Sequence, residues 1–265
     1  LLSDDYNEER RRLVGKKASH EVRPGHVEGY GAAPIVRIAA GPDKDFAHAG
    51  AHGLGEPTQG LSDLRPQPSG ATRGDTCHLD VIDRWGNMVS ATPSGGWLQS
   101  SPAIPGLGFA LSTRAQMFWL EEGKPASLAP GKRPRTTLTP SLALRDGVPY
   151  MVFGTPGGDQ QDQWSLNVFL RHVHFGLNLQ EAIDAPEFHT THFPSSFYPR
   201  EAHPGQMLVE GRMPAETVAE LRRRGHDVEV VEDWFLGRVS AALKDGGLLK
   251  AGANPRFMQG YAFGR

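Results

Sequence analysis

A threonine hydroxyl becomes a useful nucleophile when a base lies within hydrogen-bond reach, and a threonine at a free N-terminus carries that base as its own α-amine. Thr76 stands where such chemistry could be set up. A long stretch without regular periodicity ends at Asp75, and residues 77–83 then read as a strand, so cutting the Asp75-Thr76 bond would leave a threonine at the head of a rigid strand. A threonine at a strand start is also an ordinary structural hydroxyl, and on local features both readings stand. Cys77 is a second nucleophile type, but it would serve only if the cut fell one bond later; its simpler reading is a buried strand thiol. The run Gly154-Thr155-Pro156-Gly157-Gly158 lets a backbone approach a ligand closely, because adjacent glycines carry no Cβ, and taken alone it is also a common turn. His172/His174 and His189/His192 are spaced i,i+2 and i,i+3 without the carboxylate or cysteine set of a zinc site, so no metal is expected.

The elements that must position these groups follow from local pattern. Residues 5–17 are charged, free of proline and rich in helix formers, with Asp4 and Asp5 ahead of Arg10, Arg11 and Arg12 as the helix dipole prefers. From Gly41 to Asp75 the composition shifts to Gly, Pro, His, Asp and Ser with neither period, the mark of a long surface segment. Residues 77–83 and 88–92 then read as two strands joined by the turn Arg84-Trp85-Gly86-Asn87, a hairpin that begins at Thr76. A second strand pair, 141–144 and 150–153, flanks Arg145-Asp146-Gly147. Helical periodicity runs through Trp164, Leu166, Val168, Phe169 and Val173 and ends near Gly176, and further helices fit 179–184 and 214–224, the last with Pro214 in its first turn and Gly225 just past its end. Strands at 227–231, 238–243 and 248–250 close the chain. Paired strands followed by helices describe an α/β protein with stacked sheet and helix layers.

Bulk properties narrow the function. A chain of 265 residues, 38% hydrophobic, can bury a substantial core. Its net charge of -2 gives no basic excess with which to hold nucleic acid or an anionic membrane, and no apolar run reaches the ~20 residues that span a bilayer. One cysteine rules out an intramolecular disulfide framework and fits a reducing compartment. The start Leu1-Leu2-Ser3 lacks a methionine and reads as the edge of a fragment, so localisation is unknown, with cytoplasmic favoured over periplasmic.

The segment 74–89, Gly-Asp-Thr-Cys-His-Leu-Asp-Val-Ile-Asp-Arg-Trp-Gly-Asn-Met-Val, resembles the start of the small subunit in gamma-glutamyltransferases, which are N-terminal-nucleophile hydrolases. Further stretches follow in family order: 131–141 (Gly-Lys-Arg-Pro-Arg-Thr-Thr-Leu-Thr-Pro-Ser), 154–158, 178–186 (Asn-Leu-Gln-Glu-Ala-Ile-Asp-Ala-Pro) and 252–256 (Gly-Ala-Asn-Pro-Arg). Residues 21–25 resemble the end of the family's large subunit. The resemblance implies that residues 1–75 are the end of the large subunit plus a pre-cleavage segment, that residues 76–265 are the small catalytic subunit, and that the fold is a four-layer αββα sandwich, incomplete without an N-terminal portion that is its partner. It implies autocleavage between Asp75 and Thr76, Thr76 as nucleophile and Ser94 as the hydroxyl that assists it. Gly157 and Gly158 would supply N–H donors to the oxyanion, while Thr136 and Thr137, with Arg114, would grip a substrate carboxylate. No cofactor is implied. The other partners are a small-molecule amide and, potentially, a second copy of the processed heterodimer.

Two departures bear on the substrate. Where gamma-glutamyl-specific members place an asparagine and an acidic residue to hold the substrate ammonium, this chain has Gly96 and the stretch Arg114-Ala115-Gln116-Met117, without a carboxylate. An ammonium lacking its counter-charge forgoes a charge-assisted hydrogen bond worth about 1.5–3 kcal/mol. The expectation is therefore a self-processing hydrolase or acyltransferase acting on gamma-glutamyl or related acyl amides, beside an amidohydrolase or acylase without glutamyl specificity. A catalytically silent member kept for binding is the reading of another class.

Overall fold

The computed structural model describes residues 1–29, 76–95, 103–109, 112–197, 200, 202–256 and 260–264. Its first helix, α1 (Asp4–Arg11), is capped by Ser3, whose hydroxyl accepts from the Tyr6 N–H at 3.3 Å. It is shorter than the 5–17 stretch that composition suggests. None of its residues is buried, so no tertiary packing carries it toward Gly15.

The hairpin begins two residues later than its sequence pattern. Strands β1 (Leu79–Ile82) and β2 (Met88–Ala91) pair antiparallel, with Leu79 opposite Ala91 and Ile82 opposite Met88. The turn between them is fastened by Asp83, whose carboxylate accepts from the Trp85 and Asn87 N–H groups, both at 2.9 Å, and from the Asn87 side chain at 2.7 Å. Cys77 lies just outside the strand and is exposed, contrary to the buried thiol its position suggests.

A four-stranded antiparallel sheet forms the centre, in the order β3 (Ser141–Arg145), β4 (Val148–Gly154), β8 (Ser240–Asp245), β9 (Leu248–Gly252). Both of its outer hairpins turn through residues with positive φ. Asp146 and Gly147 have φ of 53° and 78°, and Gly246 and Gly247 have φ of 55° and 86°, the twist that matches tight hairpins. The two faces of this sheet bury different partners. Met151, Phe153, Ala241 and Leu243 share one face and pack on Trp164 and Val168 of α2 (Gln161–Val173) and on Leu179 and Ile183 of α3 (Leu179–Asp184). The opposite face receives the β1–β2 hairpin: the Ser90 hydroxyl donates to the Phe153 carbonyl at 3.3 Å, and that of Ser240 to Asp80 at 3.4 Å. Covered on both sides, β4 is buried from Tyr150 to Gly154. The described residues thus stack hairpin, sheet and helices in that order.

Beside this stack sits a smaller sheet that the sequence pattern misses in part. Strands β5 (Phe188–Thr190) and β6 (Gln206–Glu210) pair antiparallel, and β7 (Asp227–Val231) joins β6 in parallel through the crossover helix α4 (Ala215–Arg223). Val209, Val218 and Val228 form its own core.

A buried charge cluster connects the two units. Glu210 is fully buried; it accepts from Arg256 Nε at 2.8 Å and Nη2 at 3.1 Å, from Arg212 Nη2 at 2.6 Å, and from the N–H groups of Leu236 and Glu187, each at 3.0 Å. Arg256 also donates to the carbonyls of Ile183 at 2.8 Å and Ala185 at 3.0 Å, and Gln180 Nε2 to that of Ala253 at 2.9 Å. Two sequence motifs, 178–186 and 252–256, therefore form one structural joint. A buried carboxylate persists ionised only with such a set of donors.

Candidate active site

Four segments converge here, and the first is the hairpin. It brings its own ends together: the Cys77 N–H donates to the Pro93 carbonyl at 3.2 Å, and Thr76 Oγ1 lies 2.6 Å from Ser94 Oγ. Hydroxyls at this distance share a hydrogen bond, so the orientation of one fixes the other. Thr76 is partly buried and Ser94 likewise, which leaves both reachable. Gly95, next in the chain, has a φ of 66°, and a Cβ built on it would lie 2.3 Å from Thr113 Oγ1, so only glycine admits the turn Thr113–Met117 beside the pair. Asp75, its bond to Thr76, the segment from Gly41 and Gly96 lie outside the described residues.

Below Thr76, the structure adds a histidine that sequence reasoning passed over. The His78 side chain is buried, with Nδ1 2.7 Å from Thr92 Oγ1 and Nε2 2.9 Å from Asp80 Oδ2. Its ring presses on β4 so closely that a Cβ at Gly154 would sit 2.4 Å from Cε1. The available signal was period two: His78, Asp80 and Ile82 alternate onto one face, which is polar where a covered face is normally apolar. The contact also sets the residues just ahead of β1 against the start of the Gly154–Gly158 run.

That run leaves β4 as a constrained bend. Thr155 Oγ1 donates to the Pro156 carbonyl at 2.6 Å and accepts from the Arg238 N–H at 3.2 Å. Gly157 has a φ of 132°, and a Cβ there would lie 2.6 Å from the Trp164 ring; its carbonyl accepts from the Gln161 side-chain amide. Gly158 is freer, with a built Cβ 3.3 Å from Phe197 and 3.7 Å from Gln160 Oε1. Both glycines lie just ahead of α2, with Asp159 and Gln160 between, and the N-terminal peptide dipoles of that helix favour negative charge at that end. Asp159 then ties the bend to a neighbouring loop, accepting from Ser195 Oγ at 3.1 Å, from the Ser196 N–H at 2.7 Å and from the Ser196 hydroxyl.

The remaining residues lie on two further segments, 135–137 and the Thr113–Met117 turn. Thr136 is exposed, and its Oγ1 accepts from the Leu138 N–H at 3.1 Å. Thr137 is buried, and its hydroxyl makes no hydrogen bond among the described residues. Arg114 is buried on the Thr113–Met117 turn, beside fully buried Met117. Arg135, which the sequence did not single out, is 52% exposed and reaches within 3.8 Å of Asp159 Oδ1. Arg200 donates to the carbonyls of Ser196 at 2.8 Å, Phe118 at 2.7 Å and Gln116 at 3.3 Å, and so ties the turn to the 195–197 loop. Burial, and next the charge of Arg135, lower the Arg200 pKa.

Three of the four paired histidines have side-chain partners among the described residues. His172 sits 2.7 Å from the Tyr150 hydroxyl and 2.8 Å from the Leu177 carbonyl, His189 packs edge-on against Trp164, and His192 accepts from the Gly205 N–H at 3.0 Å. Among the described residues no group of three or more His, Cys, Asp or Glu is placed to hold a metal ion, and no helix is long and apolar enough to cross a membrane.

With the geometry in hand, comparison with known proteins is specific. The sequence profile of gamma-glutamyltranspeptidase matches residues 1–263. The chain is similar to the oxamate amidohydrolase proenzyme of Klebsiella pneumoniae, 34% identical over 197 residues that make up 72% of this chain and 36% of that protein. It is similar to the glutathione hydrolase-like YwrD proenzyme of Bacillus subtilis, 33% identical over 198 residues, again 72% of this chain and 36% of that protein. The solved structure of LmbA2991HD is 55% identical and superposes with a TM-score of 0.80 over 100% of this chain and 43% of that one. This chain spans about a third of the length of the curated relatives it matches.

Proposed function

The chain belongs to the gamma-glutamyltranspeptidase family, and on that premise we propose that it is the catalytic part of a self-processing amide-bond hydrolase or acyltransferase. The observation that carries the reading is the 2.6 Å contact between the hydroxyls of Thr76 and Ser94 at the open end of the hairpin. In the first stage the Thr76 hydroxyl attacks the Asp75 carbonyl, the peptide C–N bond breaks as the ester forms, and water hydrolyses that ester. The products are an Asp75 carboxylate and a free Thr76 α-amine.

In the second stage the same hydroxyl attacks a substrate amide carbonyl and passes its proton to the new amine. The N–H groups of Gly157 and Gly158, at the N-terminal end of α2, hold the oxyanion; such preorganised donors are worth several kcal/mol. Collapse expels the leaving amine, which takes the proton back from the α-ammonium, and an acyl ester stays on Thr76. Water or an acceptor amine then releases the acyl group. Ser94 orients the attacking oxygen, while Thr136 and Thr137, with Arg114, hold a carboxylate on the acyl group.

In this reading residues 1–75 close the large subunit and residues 76–265 form the small one. The outward face of the hairpin, with Leu79, Val81 and Val89 each about half exposed, is the surface that the rest of the large subunit covers to complete a four-layer αββα sandwich. A dedicated amidohydrolase without glutamyl recognition is the second form of the same function. Buried Met117, in a stretch without a carboxylate, favours it. The deciding experiment is intact-mass analysis of the full-length protein followed by an amide-substrate panel. A fragment starting at Thr76 with amidase activity supports the proposal, and an uncut or inert protein refutes it.

A further inference from the structure

Two successive peptide units of the glycine bend have their carbonyls tied by buried side chains. Thr155, fully buried, donates its hydroxyl to the Pro156 carbonyl at 2.6 Å, and the Arg238 N–H holds that hydroxyl in turn at 3.2 Å. Gln161, also fully buried, donates from Nε2 to the Gly157 carbonyl. In a trans peptide the carbonyl and the N–H point in opposite directions, so fixing one aims the other. Thr155 thereby aims the N–H of Gly157, and Gln161 that of Gly158. Both glycines are buried, and neither N–H donates to any described residue. Buried backbone donors without an acceptor are uncommon, and here two stand in succession.

The second peptide is the one with freedom to turn. Gly157 has a φ of 132°, a value open to glycine, and glycine follows it, so neither flanking residue has a Cβ to resist rotation of the peptide between them. Turned over, that peptide would present the Gly157 carbonyl oxygen where the Gly158 N–H now points. The ladder of α2 does not prevent this, since the Gln161 N–H bonds the Gly158 carbonyl, at 3.4 Å, and not that of Gly157. The side chain of Gln161 supplies the missing tie. Its Oε1 has no partner among the described residues, so the contact with Gly157 is the polar contact this buried amide makes there. An amide buried with half its capacity unused is a poor choice for stability alone.

We propose that Gln161 is a positioning residue, a lock that holds the Gly157–Gly158 peptide with its N–H toward the reacting carbonyl. The inference rests on the oxyanion role proposed above for Gly158 and adds the device that keeps this donor in place. Gln161 acts through the peptide and touches no substrate, being shut away from solvent in the first turn of α2.

The test uses the full-length protein after processing. Gln161→Met keeps the volume and removes the donor. Its kcat for anilide hydrolysis should fall by about 30-fold at nearly constant KM, because the lost interaction is made in the transition state. Gly158 has a φ outside the positive region, and the turned peptide would carry it there, where a Cβ is disfavoured. In a Gly158→Ala background Gln161→Met should therefore lower kcat by less than about fivefold. Crystal structures read the lock without catalysis: the Gly157 carbonyl should be turned over or split between two orientations in Gln161→Met, and single in the parent. Gln161→Leu, smaller and equally without a donor, gives the same readings should the methionine variant not fold. A turned peptide in a protein whose parent cleaves no anilide upholds the lock and counts against the Thr76 reading instead. A carbonyl unmoved in both variants, or equal losses of kcat with and without Gly158→Ala, overturns the assignment and leaves Gln161 a packing residue.

Discussion

Thr76 Oγ1 and Ser94 Oγ lie 2.6 Å apart, although eighteen residues separate them in the chain. The β1–β2 register makes that meeting obligatory, because pairing Leu79 with Ala91 sets the residues just outside each strand side by side. Ser94→Ala should therefore lower kcat by about tenfold at nearly constant KM, since one hydrogen bond that orients the attacking oxygen is worth about 1 kcal/mol. Steady-state kinetics on the processed protein check this. A KM effect with unchanged kcat would make Ser94 a substrate contact.

One hydroxyl serves both stages of the proposed chemistry. Thr76→Ala should leave the Asp75-Thr76 bond intact and abolish amidase activity, with mass spectrometry and an anilide assay as the readouts. Normal processing of that variant would remove Thr76 from the mechanism.

Legibility in the sequence tracked how local each feature is. The hairpin at Thr76, the turn at Asp146 and Gly147 and the helix capped by Asn178 are written in neighbouring residues, and the structure reproduces them. The sheet of β5 and β6 was not legible. Phe188–Thr190 is only three residues long, and β6 ends on Glu210, a buried carboxylate that only distant Arg256 and Arg212 make tolerable. The candidate site divides the same way. Thr76, Ser94, Gly157 and Gly158 stand out by type and motif, whereas His78 and Arg135 gain meaning only from contacts with Gly154 and Asp159, which lie in other segments.

The two glycines of the bend should fail differently. Gly157→Ala forces a Cβ to within 2.6 Å of Trp164 at a φ of 132°, so it should lower Tm, with strain of about 1–3 kcal/mol. Gly158→Val should leave the protein folded, because only Phe197 at 3.3 Å and Gln160 at 3.7 Å must yield. Its kcat should nevertheless fall by about 100-fold or more as the oxyanion donors are displaced. Thermal melts and kinetics on both variants separate the cases, and a Gly158→Val enzyme within twofold of the parent would make the bend structural.

The Glu210 joint makes a pH-dependent contribution to stability. Burial alone would raise the Glu210 pKa, but the hydrogen bond and charge of Arg256, aided by Arg212, bring it below the usual 4.5. A carboxylate with a depressed folded-state pKa stabilises the fold above its unfolded value and loses that contribution as pH falls through the folded one. Arg256→Ala should thus cost about 3–5 kcal/mol near neutrality, by leaving a buried charge short of its partner. Its difference from the parent should shrink on going below pH 4.5. Urea unfolding at pH 7 and at pH 3 measures both values, and a difference that grew in acid would contradict the assignment.

Substrate preference follows from what Thr113–Met117 lacks. Met117 is fully buried and Arg114 is a cation, so the turn presents no carboxylate to a substrate ammonium. Moving an ammonium out of water without a counter-charge costs more than the rest of a well-fitting acyl chain readily returns. A glutaryl anilide should therefore be the better substrate, with kcat/KM above that of the gamma-glutamyl anilide by about tenfold or more, the factor that one missing charged hydrogen bond implies. The two compounds differ only in the α-amine, so their ratio on the processed full-length enzyme isolates that group. Raising the pH toward the amine's own pKa should narrow the gap, since the neutral amine carries no charge to desolvate. A clear preference for the gamma-glutamyl compound would show that the ammonium finds a carboxylate elsewhere in the complete protein, and would refute the reading without glutamyl recognition.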